Sequence, residues 1–405
     1  IVEAVAMDQS LRYESDNKVK AIETLYNFES TGGILNTVEK CNGSGDCRKL
    51  SFAGGTMCPS YRATLDEKDS TRGRANVLRE FLTQNTKENP FDHPEIKEVM
   101  DLCVSCKACK SECPSNVDMA TLKAEFLYQY QKTNPVSLRS KLIAHNAKVN
   151  LIAHRFSWIY NIIAKSKWFK KCIGVHPNRS LPILKPTTLR QWFSNHVQGT
   201  HTKSVFLFCD EYTNYYDLDI GIKAVKLLNK LGYTVNIPNH PESARAYISK
   251  GFLKEAKAIA TENIKLFSTL ISKDTPLIGI EPSAILGFRD EYPNLVNASL
   301  KYTAKTLGLN TFTIEEFLSN ELQDNKINIS LFSNSTKTVY YHGHCHQKAL
   351  SSNSHAVDIL GFPINFNVKT IDSGCCGMAG SFGYEKEHYE ISQQIGEDSL
   401  FPALR

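Results

Sequence analysis

The chain is predicted to be an α+β protein, with an all-helical N-terminal part that carries cysteine loops, followed by two α/β halves with mainly parallel sheets. Three observations predict this. Seven of the twelve cysteines crowd into residues 41–113, among short helix-like segments broken by glycines. Beyond residue 204, apolar strand runs alternate with helical stretches, the βαβ texture of a parallel sheet. The order strand, cysteine, helix, glycine turn, strand occurs twice there, as "SVFLFC…AVKLLNKLGYTVNIP" and "TVYYHGHC…AVDILGFPINF". A length of 405 residues suits two or three domains. The expected limits are 1–135 for the helical part, 136–203 for a basic helical linker, 204–330 for the first α/β half and 331–405 for the second.

Each element has its own signal. In 136–200 the apolar positions Val149, Ile152, Phe156, Ile159 and Ile163 recur at three- and four-residue steps, so an amphipathic helix is expected. "HPNRSLPILKP" then breaks the pattern with three prolines and reads as a linker. "SVFLFC", "YTVNIP" and "PLIGIEP" are strand runs. "IGIKAVKLLNKLG" is a helix closed by Gly232, and "SARAYISKGFLKEAKAIATENIKLFSTLI" is helical.

Composition narrows the function classes. Hydrophobic residues make up 41% and charged residues 22%, values of a soluble chain, and no run of about 18 apolar residues predicts a transmembrane helix. The opening "IVEAVAMDQSLRYESDNK" has neither initiator Met nor signal peptide and reads as an interior piece of a longer polypeptide. Twelve cysteines in so long a chain, at metal-ligand spacings, argue against a disulfide scaffold and for a reducing cytosol. Charge is uneven. Between Glu125 and Asp210 lie thirteen Lys and Arg and no acid, in a chain of net charge +5, so the remainder carries −8. Such a segment calls for an anionic surface: a flavin-carrying partner or a membrane leaflet. The Val149–Ile163 stripe, flanked by Trp158 and Trp168, suits an interfacial helix, and it is also what a helix packed on the helical part would show, which is the favoured reading. No nucleic-acid partner is expected.

The chemistry lies in the cysteines. "CVSCKACKSECP" places Cys103, Cys106, Cys109 and Cys113 in a C-x2-C-x2-C-x3-C-P run, the ligand pattern of bacterial-type [4Fe–4S] proteins. Three closely spaced thiolates wrap one cube, and the cysteine before proline serves another. "CNGSGDCRKLSFAGGTMCP" supplies Cys41, Cys47 and a second Cys-Pro at Cys58. Crosswise ligation then gives Cys103, Cys106, Cys109 and Cys58 to one cube, and Cys41, Cys47 and Cys113 to the other. Ser44 stands where a middle cysteine would be, leaving the second site one thiolate short. Zinc more often takes two separated C-x2-C arms. Arg72 and Arg74 lie between the runs, as a solvated helix start or as cations that offset cluster charge. A third group, Cys345 with Cys375 and Cys376 in "DSGCCGMAGSFG", could hold a further cluster or zinc if Gly374 and Gly377 let the loop fold tightly. His342, His344 and His346 alternate and are expected on one strand face, as hydrogen-bonded residues more often than ligands. Cys172 reads as inert, and Cys209 as a buried thiol or a metal ligand.

Together "KCNGSGDCRK", "GGTMCPSYRATLDEKDSTRGRANVLREFL", "CVSCKACKSECPSNVDMA", "ESARAYISKGFLKEAKAIA", "GIEPSAILGFRDEYPNL", "HGHCHQKAL" and "DSGCCGMAGSFGYEKEHYE" resemble the C-terminal iron–sulfur region of bacterial FAD-linked D-2-hydroxyglutarate/D-lactate-type dehydrogenases. More loosely they resemble the glycolate oxidase iron–sulfur subunit. The likeness runs from about residue 12 to 405. It implies a ferredoxin-type two-cluster domain and tandem "CCG" halves. It also implies FAD on an N-terminal flavin domain, which this sequence lacks, or on a separate flavoprotein subunit. Glu242-Ser243-Ala244 replaces Cys-Cys-Gly in the first half, and a later family cysteine, past "SLFPALR", is missing. On this reading the chain relays electrons from flavin to quinone or another acceptor, in the cytoplasm or peripherally on the inner face of its membrane. The rivals are heterodisulfide-reductase-like catalysis at Cys345, Cys375 and Cys376, and a zinc-stabilised scaffold.

Overall fold

The computed structural model describes residues 21–405. The opening stretch read as an interior piece, and the first residues of the helical part and of the family likeness, lie outside the described residues. The chain is α+β, rich in helix, with small parallel sheets.

In the N-terminal part, helices Thr71–Thr83 and Met119–Tyr130 begin at side-chain caps, where Ser70 accepts from the Gly73 N–H and Asp118 from the Thr121 N–H. Helices Pro59–Thr64 and Pro94–Asp101 open with proline, whose missing N–H costs nothing there. They bury Leu78, Phe91, Ile96, Leu122 and Phe126 in one core. That core also takes in Tyr247, Leu253, Ala256 and Leu295 from beyond residue 204, so the helical part and the first α/β half share an interior.

Strands β1 (Lys203–Phe208), β2 (Tyr233–Asn236), β3 (Leu277–Gly279) and β4 (Thr311–Thr313) form a wholly parallel sheet in the order β2-β1-β3-β4. Val205 lies opposite Val235, and Phe206 opposite Leu277. Phe208, Phe267, Phe288 and Tyr292 fill one core beside the sheet, and Val205, Leu228 and Phe317 another. Helix Leu218–Lys230 ends where Gly232 turns at φ +87°. The long helical run expected after it breaks at Gly251, φ +76°, into Arg245–Ser249 and Leu253–Phe267. Strands β5 (Lys337–Tyr341) and β6 (Phe366–Thr370) form a separate parallel pair joined through helices Cys345–Leu350 and Ser354–Gly361. The repeated theme reaches the backbone: after β2 the residue Ala244 has φ +60°, and after β6 the matching Gly377 has φ +79°.

The basic segment differs from expectation. Its stripe is not one helix but Asn146–Ala153, a single 3-10 turn at His154–Phe156, and Ser157–Lys165. Nor does the stripe pack inward. Buried Asn150, His154, Ser157 and Ala164 face the protein, with Asn150 bonded to the Tyr216 hydroxyl at 2.9 Å. Ile152, Phe156, Trp158 and Ile162 are 55–66% exposed. The polar inner face finds specific partners, which turns the apolar face outward. Among the described residues no helix is long and apolar enough to cross a membrane.

Candidate metal centre

The loop 103–109 is wound tightly, with Ser105 at φ +51° and Lys107 at φ +64°, conformations that non-glycine residues adopt only when their surroundings hold them. For Lys107 the hold is visible. Its buried ammonium lies 2.7 Å from Asp290, 3.1 Å from Asp118 and 3.4 Å from Glu291. The winding turns Cys103, Cys106 and Cys109 toward one cavity, and Cys58, from the other run, lines the same cavity. Cys58, Cys103 and Cys109 are buried, and Cys106 is half-buried.

Donors surround these sulfurs. The Met119 N–H lies 3.4 Å from Cys109 Sγ. Arg74 is wholly buried, with Nη1 3.6 Å from Cys58 Sγ and 2.6 Å from the Asp69 carbonyl, and Nε 2.8 Å from the Val99 carbonyl. Burial works against the guanidinium's charge, but the Cys103 and Cys58 thiols favour it. Arg74 is therefore a cation set under the sulfurs and not a solvated helix start. Burial, then the nearby Asp118 carboxylate, pushes the Cys109 thiol well up. A positive centre in the cavity would be needed to keep it as thiolate.

The other donor set is less complete. Cys47 is buried, and its Sγ accepts from the Arg72 N–H at 3.4 Å. Cys41 is half-buried at a polar cleft. Burial raises the Cys47 thiol, with Cys58 and Cys41 adding to the rise, so these thiols are neighbours. Cys113 is half-buried against the same core. Ser44 sits between Gly43 and Gly45 in an exposed loop.

The third group comes to the same place. Cys106 and Cys345 both pack on Val104, Cys375, Phe382 and Ile395. After burial, the neighbouring Cys345 does most to raise the Cys106 thiol. Cys375 hydrogen-bonds to Cys345 and Cys376. This lowers Cys345 and, with help from His342, lowers Cys376 to about 3, while Cys375 itself is raised. One expectation is corrected. β5 stops at Tyr341, so His342, His344 and His346 do not alternate along a strand, and Cys345 opens a helix. His342 bonds to Ser373 at 2.5 Å, and His344 caps the helix. Of the two glycines, only Gly377 has positive φ, and a Cβ there would lie 2.1 Å from the Ser392 carbonyl. In the first half, Glu211 accepts from the Ser243 N–H and hydroxyl in place of thiol chemistry. Cys209 is a buried thiol, pushed by burial to about 12, and Cys172 is exposed.

Among the described residues no three thiol, imidazole or carboxylate groups stand ready to chelate a single ion. Four thiols set around a cavity fit instead a cube with four metal corners. Residues 40–118 match the family of 4Fe-4S dicluster domains. The match supports iron–sulfur clusters in this region. The chain is 25% identical to D-2-hydroxyglutarate dehydrogenase of Pantoea ananatis, over 90% of this chain and 40% of that protein. It is 26% identical to one component of the anaerobic glycerol-3-phosphate dehydrogenase of Escherichia coli, over 70% of this chain and 72% of that component. Over 71 residues it is 32% identical to the Escherichia coli glycolate oxidase iron-sulfur subunit, covering 18% of this chain and 16% of that protein. The chain thus spans about 40% of the length of the D-2-hydroxyglutarate dehydrogenases it matches, and the resemblance drawn from its motifs is borne out. No solved structure matches it significantly.

Sequence reasoning missed Lys107 and its carboxylates, because Asp290 and Glu291 lie far along the chain. It also missed His388, which joins Asp101 at 2.8 Å to Glu385 at 3.3 Å.

Proposed function

We propose that this chain is the electron-transfer part of an FAD-dependent D-2-hydroxy-acid dehydrogenase of the D-2-hydroxyglutarate or D-lactate type. The observation that carries the reading is the crosswise meeting of Cys58 with Cys103, Cys106 and Cys109 at one cavity. The relatives' names supply the dehydrogenase and the substrate class. A [4Fe–4S] cluster, when bound, exchanges one electron at a time, which suits it to link a two-electron flavin to an acceptor such as quinone.

The chain's own residues serve that exchange. Cys58, Cys103, Cys106 and Cys109 hold the first cluster. Arg74 and the Met119 N–H face its sulfurs, and the Lys107 ion cluster braces the ligand loop. Cys41, Cys47 and Cys113 hold a second, one thiolate short at Ser44. Cys345, Cys375 and Cys376, beside His342 and packed on the same cluster as Cys106, would hold a further iron–sulfur cluster. FAD would be supplied by a flavin domain of the same polypeptide or by a flavoprotein subunit. The exposed Ile152–Trp168 face, with Arg155, Lys165, Lys167 and Lys171 beside it, is the proposed contact with the inner face of the cytoplasmic membrane.

Anaerobically purified protein should be brown, with a broad absorption near 400 nm, and should carry iron. Cys58→Ala should remove about four irons per chain, one cube's worth. Colourless protein holding zinc rejects the reading, and unchanged iron in Cys58→Ala rejects the crosswise scheme.

A further inference from the structure

A cleft opens beside Cys41, lined by Asn42, Gly43, Arg72, Asn76, Arg79 and Glu67. Its charge balance is positive. The Glu67 carboxylate is shared by Arg48 at 3.1 Å and Arg72 at 2.7 Å, so one acid meets two guanidiniums. Arg79 forms no salt bridge among the described residues. Its Nη2 donates to Asn76 Oδ1 at 2.8 Å, and its Nε is shut off from solvent with no acceptor among the described residues. A buried N–H without an acceptor is rare, and each such group calls for an explanation.

The loop leaves room for one. Gly43 and Gly45 hold φ +80° and +82°, and a Cβ at Gly43 would meet nothing within 4 Å. Ser44 lies between them at the position where the cysteine run is one thiolate short. No large apolar side chain lines the cleft, so an uncharged apolar ligand finds no surface there. A carboxylate does, because the planar guanidinium fork matches its two oxygens.

We propose that this cleft binds a small carboxylate anion, held by Arg79 and Arg72 against the Cys41 loop, where the fourth thiolate is missing. The inference rests on the second cluster of the proposed function and adds an outside ligand to it. That ligand is an oxygen donor brought in from solution, so this site would respond to the concentration of a free anion.

Malonate is a suitable probe on the anaerobic, cluster-loaded chain. Calorimetry should detect binding, and the electron paramagnetic resonance signal of the reduced protein should change on adding it. Arg79→Gln should weaken binding at least tenfold with iron content unchanged. Asn76→Asp, which sets a competing carboxylate beside Arg79, should do the same even if Arg79→Gln does not fold. Absence of malonate binding, or equal binding in folded variants, overturns the proposal. Unchanged iron in Cys41→Ala overturns the second cluster itself, and calorimetry still decides the cleft.

Discussion

Arg74 and Gly377 are the two residues on which local chemistry depends most. Arg74 gives its guanidinium to two backbone carbonyls, Ser60 and Cys58 Sγ while wholly buried. Removing a buried charge that others are built around costs about 3–5 kcal/mol. Arg74→Met is therefore expected to destabilise the helical part. It should also make the first cluster harder to reduce, because a nearby positive charge favours the reduced, more negative state. Arg74→Lys should restore part of the potential but not the geometry, since lysine lacks the planar fork. A redox titration that finds equal midpoints in all three proteins refutes this. For Gly377, Ala would combine positive φ with the 2.1 Å approach to the Ser392 carbonyl. Gly377→Ala should cost about 3 kcal/mol or more. Gly380→Ala, with φ +61° and open space around it, should cost only about 1 kcal/mol. Thermal unfolding of the pair checks the difference.

Among the elements, the helices Asn146–Ala153 and Ser157–Lys165 reverse the usual arrangement, with polar groups inside and isoleucine, phenylalanine and tryptophan outside. Soluble surfaces rarely leave so continuous an apolar face uncovered. Some of the segment's cations are used internally: Arg139 pairs with Glu385 and Glu387, and Lys185 with Asp219. Arg155, Lys165, Lys167 and Lys171 form no salt bridge among the described residues. Each Lys or Arg near an anionic leaflet contributes about 1 kcal/mol, screened beyond about 8 Å at physiological salt. The chain should therefore sediment with anionic vesicles at low salt and release at high salt, and Trp158→Glu with Ile162→Glu should abolish binding. Failure to sediment at low salt rejects the membrane and leaves the flavin partner as the occupant of this face.

At the scale of the whole molecule, His388 clasps the parts together. It bridges Asp101 of the helical part and Glu385 of the second half. Glu385 is also held by Arg139 and Lys250, and Lys123 adds a further charge near Asp101. Burial opposes charge on His388, but the hydrogen bond to Asp101 and the Glu385 carboxylate beside it raise it to about 8 from the ordinary 6.5. A raised folded value means the stabilisation is full below about pH 6.5 and is lost as pH rises through about 8. The shift corresponds to about 2 kcal/mol. Burial opposes ionised Glu385 too, yet the ion pair with His388 and the Lys250 charge hold it below the usual carboxylate range. Its contribution is lost in turn as the solution becomes acidic. The wild type should unfold at lower temperature at pH 9 than at pH 6.5, and His388→Gln should flatten that difference. An unchanged pH profile in the variant excludes the clasp.

Features with local causes were legible in the chain alone. The spacing of Cys103, Cys106 and Cys109 names their chemistry, because ligands on one tight loop are close in the chain and in space. The βαβ alternation names the parallel sheet, because each strand and helix carries its own periodicity. Folding in three dimensions settled everything that depends on distant partners. It brought Cys58 to the first three thiols and Cys345 to Cys106, across 45 and 239 residues of chain. It buried Arg74, set Lys107 among carboxylates, and chose which face of the basic helices looks outward. That last choice could not be read from an apolar stripe, because periodicity shows that a helix has two faces and not which one finds a partner. Asn150 and His154 found theirs in Tyr216 and Tyr215, and the isoleucines were left for something outside the chain.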